Sequence, residues 1–228
     1  MDHRKNEGFN KAMANVKPLE RSEALELEKF FSMAEAGMGF LPNSLLTMAH
    51  IPQLTPIFSM FVATVRGADA KGMLEALSDQ IPDQTGADRN LPPDLIQLIA
   101  YASSVSAGCI YCQAHTSHGA HQQGVSEEKL QAILRYEESD LYNEAEKAVV
   151  AIALAAGKVP NETGESHFEA LRLHYDERQI VQIVAVISLF GFLNRWNDTM
   201  ATQLESAPIE FAETVLSEGG WSLDKHGG

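Results

Sequence analysis

Apolar residues recur every three to four positions through most of the chain, and runs of strict alternation are nearly absent. That spacing predicts helices and almost no strand, hence an all-α fold. Residues 94–106 form a strongly helical stretch ending near Ala107-Gly108, and Cys109 opens another helix that runs to about Gln123 and stops at Gly124. Ser126-Glu-Glu-Lys129 reads as an N-cap followed by acids in a first turn. Residues 144–156 are helical up to Gly157-Lys-Val-Pro160, and further helices fit 164–174, 177–193 and 197–205. Upstream, residues 1–30 are charged and helix-permissive, Phe40-Leu-Pro-Asn43 is a turn, and residues 44–48 make a short helix halted before Pro52. Residues 56–66 carry Ile57, Phe58, Met60, Phe61 and Val65 in the rhythm of a buried helix. Residues 67–93, with Pro82, Gly86, Pro92 and Pro93, read as a helix fragment plus an exposed loop. Trp196, Phe190 and Phe192 read as core.

One stretch is echoed in another. Gln97-Leu-Ile-Ala-Tyr-Ala-Ser103 leads into Cys109-Ile-Tyr-Cys112, and Gln182-Ile-Val-Ala-Val-Ile-Ser188 leads into Asn194-Arg-Trp-Asn197. Cys109 aligns with Asn194, Tyr111 with Trp196 and Cys112 with Asn197. The aligned Gln, Ala, Ser, aromatic and paired polar positions favour a degenerate internal duplication, with a CxxC half and an NxxN half.

Composition narrows the function classes. The 228 residues are 45% apolar, enough for a real core, and carry 31 acids against 17 Lys and Arg for a formal charge of −14. Nucleic acid binding needs a basic stripe, and none is visible; the charge also repels anionic membranes. The start, Met1-Asp-His-Arg-Lys-Asn6, has no apolar run of a signal peptide, and residues 180–192 are interrupted by Gln182 and Ser188 and too short to span a bilayer. A cytoplasmic protein without membrane or nucleic acid partners is expected. In that compartment two cysteines are a poor structural staple, so their spacing carries the interest.

Cys109 and Cys112 lie two residues apart at the start of a helix, close enough to oxidise to a small disulfide ring. Free N–H groups and the helix dipole favour thiolate there, and Gly108 lets the chain turn sharply before the first sulfur. So short a loop adds little stability when closed, which argues against a structural purpose. His115, one turn beyond Cys112, can exchange a proton at the sulfur near neutral pH. A zinc set of Cys109, Cys112, His115 and His118 is disfavoured. Side chains three apart on one helix fan out and cannot close on a tetrahedral ion without ligands from elsewhere, such as His121, His167 or His174. No metal or other cofactor is expected. Tyr111 either shields the pair or simply packs; Arg195, Asn197 and Asp198 either cap and pack or line the thiol site.

The run Ala107-Gly-Cys-Ile-Tyr-Cys-Gln-Ala-His-Thr116 resembles the carboxymuconolactone decarboxylase superfamily, in its AhpD-like alkylhydroperoxidase branch. Phe40-Leu-Pro-Asn-Ser44 with Ala49-His-Ile-Pro52 looks similar to the entry segment of members, and Phe192-Leu-Asn-Arg-Trp-Asn-Asp198 to their second-half motif. The resemblance implies an AhpD-like helical domain over 38–205, flanked by an N-terminal helical extension, 1–37, and a C-terminal extension, 206–228. It also implies a homo-oligomer, a trimer or hexamer, and reduction of hydroperoxides in antioxidant defence, with an external lipoyl or thioredoxin-type dithiol as reductant. The family's order makes Cys112 the attacking sulfur and Cys109 the resolving one, whereas the dipole by itself favours Cys109; Cys112 is expected to attack, because His115 is its neighbour. Two positions depart from the pattern. Gln97 stands where the family has a glutamate, and Thr116 where it has a histidine, leaving His115 one position early and His118 as a substitute. The proton relay is therefore altered, with Asp94 or Asp198 the carboxylates offered in place of the missing acid. Decarboxylation itself is disfavoured, because such members work without the cysteine pair and only Arg195 offers a cation near the site. The alternative to an enzyme is a non-catalytic redox-sensing or oligomeric interaction protein of the same fold.

Overall fold

The structure, a computed structural model, describes residues 14–227. The polar start and the first part of the charged 1–30 stretch lie outside the described residues. Among the described residues there are eleven α-helices, several short 3-10 turns and no strand, so the fold is all-α. Two compact units divide the chain, one up to Thr85 and one from Gly86.

The first unit contains α1 (Glu28–Met38), α2 (Asn43–Met48), α3 (Leu54–Val65) and α4 (Ala70–Leu77). Its core gathers Ala24, Leu27, Phe30, Phe31, Leu45, Ala49 and Leu77. Arg21 ties the entry to α1 by pairing with Glu28 and Glu35. The fragment expected within 67–93 is α4, started by the Asp69 side chain accepting from the Lys71 amide. The α3 expectation needs correction: the helix forms, but Ile57, Phe58, Phe61 and Val65 are exposed and only Thr55 and Pro56 are buried. Periodicity identifies an apolar face without saying what covers it.

The second unit is built around α5 (Pro93–Ala107), which packs most extensively on α6 (Ile110–Gln122) and α8 (Glu144–Gly157), and then on α10 (Glu177–Met200). The helix α7 (Glu127–Gln131), α9 (Glu165–Arg172) and α11 (Ser206–Val215) complete it. From Leu98 to Ser104 every α5 side chain is buried, which explains its short residues: Ser103 and Ser104 donate to the carbonyls of Ile99 and Ala100 and so need no outside partner. Ile152 and Val149 of α8 and Ile180, Ile183 and Ile187 of α10 close the core around them.

Three sequence expectations change here. The helices placed at 177–193 and 197–205 are one continuous helix of 24 residues, ending at Ala201 with φ 48°. No glycine or proline stands at 192–199 to interrupt it, and Asn194 and Asn197 bury their amides instead of capping. That added length makes α10 long and apolar enough to cross a membrane by length and composition, at a mean hydropathy of 1.3, contrary to the shorter stretch read from sequence. In this unit it is a bundle helix, with Ile180, Ile183 and Ile187 packed inward. Lastly, Trp196 and Phe192 are exposed rather than core, at 54% and 40%. The segment after residue 205, expected only as an extension, folds into α11 and two 3-10 turns, Ser217–Gly219 and Asp224–His226.

Candidate functional site

The thiol pair exists because α5 ends one residue before it. Gly108 adopts φ 71°, a left-handed conformation natural to glycine, and its amide and that of Cys109 turn back onto the last carbonyls of α5. Cys109 is then extended (φ −81°, ψ 103°) and becomes the N-cap of α6. Its sulfur accepts from the Cys112 amide at 3.4 Å, a role normally filled by Ser or Asp. Both cysteines are free thiols and buried, 1% and 3% exposed.

The two sulfurs divide the charge unequally. A hydrogen bond from the Cys112 thiol holds Cys109 below its ordinary pKa; burial opposes this, and the Cys112 amide and the Lys225 charge add to it. Cys112 is pushed up, first by serving as that donor and then by burial. The Asn197 amide, donating to the Cys112 sulfur at 3.5 Å, pulls the other way. Of the two sulfurs, Cys109 is therefore the one whose ionised form is favoured, the sulfur the helix dipole favours and not the one the family's order makes the attacker.

His115 faces away from hydrogen bonding to sulfur. Its Nε2 lies 2.6 Å from a Glu205 carboxylate oxygen, and its ring stacks on Tyr111 at 4.4 Å. Tyr111 donates its hydroxyl to the same carboxylate at 3.3 Å. Burial raises the Glu205 pKa, but the bonds from His115, its own amide and Tyr111 prevail and hold it below the ordinary carboxylate value. Glu205 is the acid that sequence reasoning missed. Ninety residues separate it from His115, and no spacing rule links the N-cap of α11 to the second turn of α6.

The remaining sequence candidates scatter. Gln97 lies beside Gly119, where an added Cβ would come within 3.0 Å of its Oε1, two turns along α6 from Cys112. His118 contacts Gln122 and the Phe211 ring of α11, on a different face. Thr116 is buried and donates to the Cys112 carbonyl, so the position acts on backbone. Asp94 lies thirteen residues before Ala107 on α5, roughly 20 Å along the axis. It lines a separate cavity of about 270 Å³ with Ser126, Lys129 and Glu146. Asp198 stays at the site, but its charge raises both thiols and is itself paired with Lys225 at 2.8 Å. No group of three His, Cys, Asp or Glu among the described residues is placed to hold a metal ion.

The C-terminal segment packs at this corner, a placement that no motif or periodicity predicts. Trp221 donates its indole N–H to the Ile110 carbonyl in the first turn of α6, at 3.2 Å. His226 is fully buried, with its ring 5.9 Å from that of Tyr111. Two buried polar atoms lack a hydrogen-bond partner among the described residues, His226 Nε2 and Asn194 Oδ1.

This arrangement has relatives. Residues 76–155 match the model of the carboxymuconolactone decarboxylase family. The uncharacterized protein YdfG of Bacillus subtilis strain 168 is 31% identical over 116 residues, which are 48% of this chain and 76% of that protein. Among solved structures, the apo debrominase Bmp8 is 36% identical, with 91% of this chain and 100% of that one covered and a TM-score of 0.53. A cysteine-to-alanine variant of the same debrominase, in complex with 2,3,4-tribromopyrrole, is also 36% identical, with 91% and 98% covered and a TM-score of 0.52. The matched region contains both cysteines and the turn that presents them, and the chain belongs to the carboxymuconolactone decarboxylase family.

Proposed function

We propose that this protein is a dithiol reductase, in which Cys109 and Cys112 pass two electrons to an acceptor and end as a disulfide. The observation that supports it most is the pairing of unlike sulfurs: one whose pKa an amide and a thiol lower, the other whose pKa is raised beside it. A thiolate with a neighbouring thiol is the starting state for attack followed by resolution.

With a hydroperoxide, the thiolate attacks the O–O bond, releasing the alcohol after protonation and leaving a sulfenic acid. The second thiol condenses with it, forming the S–S bond and water. The net change is two thiols and ROOH to one disulfide, ROH and water. His115, paired with Glu205, is the proton carrier nearest in sequence to the sulfurs. An external dithiol of lipoyl or thioredoxin type would restore the thiols by exchange.

A second acceptor is favoured by the likeness to the debrominase over nearly the whole chain. Here the thiolate takes bromine from an aromatic carbon, which gains a proton, and the sulfenyl bromide is displaced by the second thiol. Two thiols and ArBr become one disulfide, ArH and HBr, so the same residues serve both reactions.

The test is thiol titration after exposure to hydrogen peroxide, an organic hydroperoxide or a bromopyrrole in separate arms. Loss of two thiols per chain, recovered with dithiothreitol, is expected in at least one arm, with turnover when a reductant is supplied. Oxidation without turnover would move the assignment to the redox-sensing alternative, and untouched thiols in every arm would end it. The exposed apolar faces of α3 and α10 fit burial in a homo-oligomer. Light scattering should give a trimeric or hexameric mass, and a monomer at micromolar concentration would contradict this.

A further inference from the structure

We propose that His226 is a specificity-determining residue of the dithiol site, its buried Nε2 accepting a hydrogen bond from the ring N–H of a planar heteroaromatic ligand. The inference rests on the dehalogenation form of the reductase assignment. The tautomer follows from one contact. His226 Nδ1 lies 2.7 Å from the Thr202 carbonyl oxygen, which can only accept, so Nδ1 carries the proton and Nε2 presents a lone pair. The side chain is 0% exposed, and that lone pair meets no donor. Buried acceptors without donors are rare because they lose water and gain nothing in return.

Its position connects the atom to the chemistry. Lys225, the preceding residue, pairs with Asp198, which follows the Asn197 that donates to the Cys112 sulfur. The His226 ring neighbours Tyr111, between the two cysteines, and Trp221 is fastened to Ile110. A ligand that displaces this segment from the first turn of α6 comes upon Nε2 and the Tyr111 ring, which lies between the two cysteines in sequence. The Tyr111 and His226 rings, 5.9 Å apart and tilted by 51°, offer a flat ligand aromatic surface beside Nε2. The segment is held lightly enough to admit one: the ion pair is half-exposed, and Asp224 adopts φ 45°, which a non-glycine residue tolerates poorly.

The experiment uses the full chain with Cys109→Ser and Cys112→Ser, so that no turnover disturbs the equilibrium. It is titrated with 2,3,4-tribromopyrrole and with its N-methyl derivative. The N–H form should bind about tenfold more tightly, the value of one hydrogen bond to a buried acceptor. His226→Asn keeps an amide donor for the Thr202 carbonyl but lacks the Nε2 acceptor, and should reduce that preference to within about twofold. Equal binding of the two probes, binding of neither, or an undiminished preference in His226→Asn overturns the proposal. The first two outcomes need no variant, so poor folding of His226→Asn does not shield it. Thiol titration of the unmutated protein separates the two ideas. Consumption of both thiols without N–H preference leaves the reductase standing and removes His226 from specificity. Thiols inert to every acceptor remove the reductase, while the binding ratio still decides the role of His226.

Discussion

Residues 97–112 and 182–197 share Gln, Ala and Ser at the same spacing, yet the chain breaks in the first and runs straight through the second. The difference lies at one position. Gly108 stands where the second stretch has Leu193. Glycine accepts φ 71° and ends α5, so the next residue caps a new helix and its side chain meets free amides. Leucine continues the helix, and Asn194 meets amides already bonded to carbonyls a turn earlier. The surroundings of the Cys109 sulfur therefore come from a backbone interruption as well as from the thiol beside it. The unbroken stretch contributes differently, through the Asn197 amide resting on the Cys112 sulfur.

Gly108→Leu is the strongest way to break the comparison, because it gives the first stretch the residue of the second. A branched side chain in the left-handed region costs about 1–2 kcal/mol, and relief by continuing the helix would remove the N-cap. Urea unfolding should show a loss of that order. Iodoacetamide alkylation of Cys109, followed across pH in a Cys112→Ala background that leaves only the helix-end amide, should show its midpoint rising to the ordinary thiol range near 8.5. An unchanged midpoint would mean that the helix break does not activate the sulfur.

Most of this architecture was legible in the sequence. Apolar period, Gly108, Gly124, Ser126 and Pro160 placed the helices from α5 to α9 within a few residues, because each signal acts through its own backbone. The helix break that brings Cys109 and Cys112 together was legible for the same reason: the spacing and the glycine lie on one stretch. What could not be read involves partners distant along the chain. Glu205 reaches His115 only through the fold, and Trp221, Lys225 and His226 arrive on a segment without apolar period or motif. Gln97 and His118 were nominated by position in a family pattern, and the helix geometry of this chain turns them toward Gly119 and Phe211 instead. Exposure was equally hidden, since Phe61 and Trp196 have the spacing of core residues and lie open in this chain.

A finer distinction concerns the hydrogen bond inside the dithiol. In Cys112→Ser a hydroxyl still donates to Cys109, whereas in Cys112→Ala only the backbone amide remains. The Cys109 pKa is depressed chiefly by that side-chain donor, so it should stay low in the serine variant and rise toward the ordinary thiol range in the alanine variant. The sign for stability follows. A depressed thiol pKa contributes stability above the ordinary thiol value and loses it as pH falls through the folded value, so the serine variant should show the steeper pH dependence of unfolding. Equal alkylation midpoints in the two variants would assign the shift to the helix end alone.

The smallest expected effect is at Glu205, which belongs to neither matched stretch. Its carboxylate is exposed, so replacing the His115 and Tyr111 contacts by those of an amide in Glu205→Gln should cost well under about 1 kcal/mol. The pH dependence is more telling than the magnitude. Because Glu205 is held below its ordinary pKa, its contribution is complete above the normal carboxylate range and disappears as pH falls through the lowered value. Thermal unfolding of the unmutated protein should therefore lose a small increment over that acidic window which Glu205→Gln lacks. If His115 carries protons for the sulfurs, turnover should fall in Glu205→Gln by more than stability does, with the Cys109 alkylation profile unmoved. Turnover that follows stability alone would reduce the His115–Glu205 pair to a surface contact and leave proton delivery to solvent.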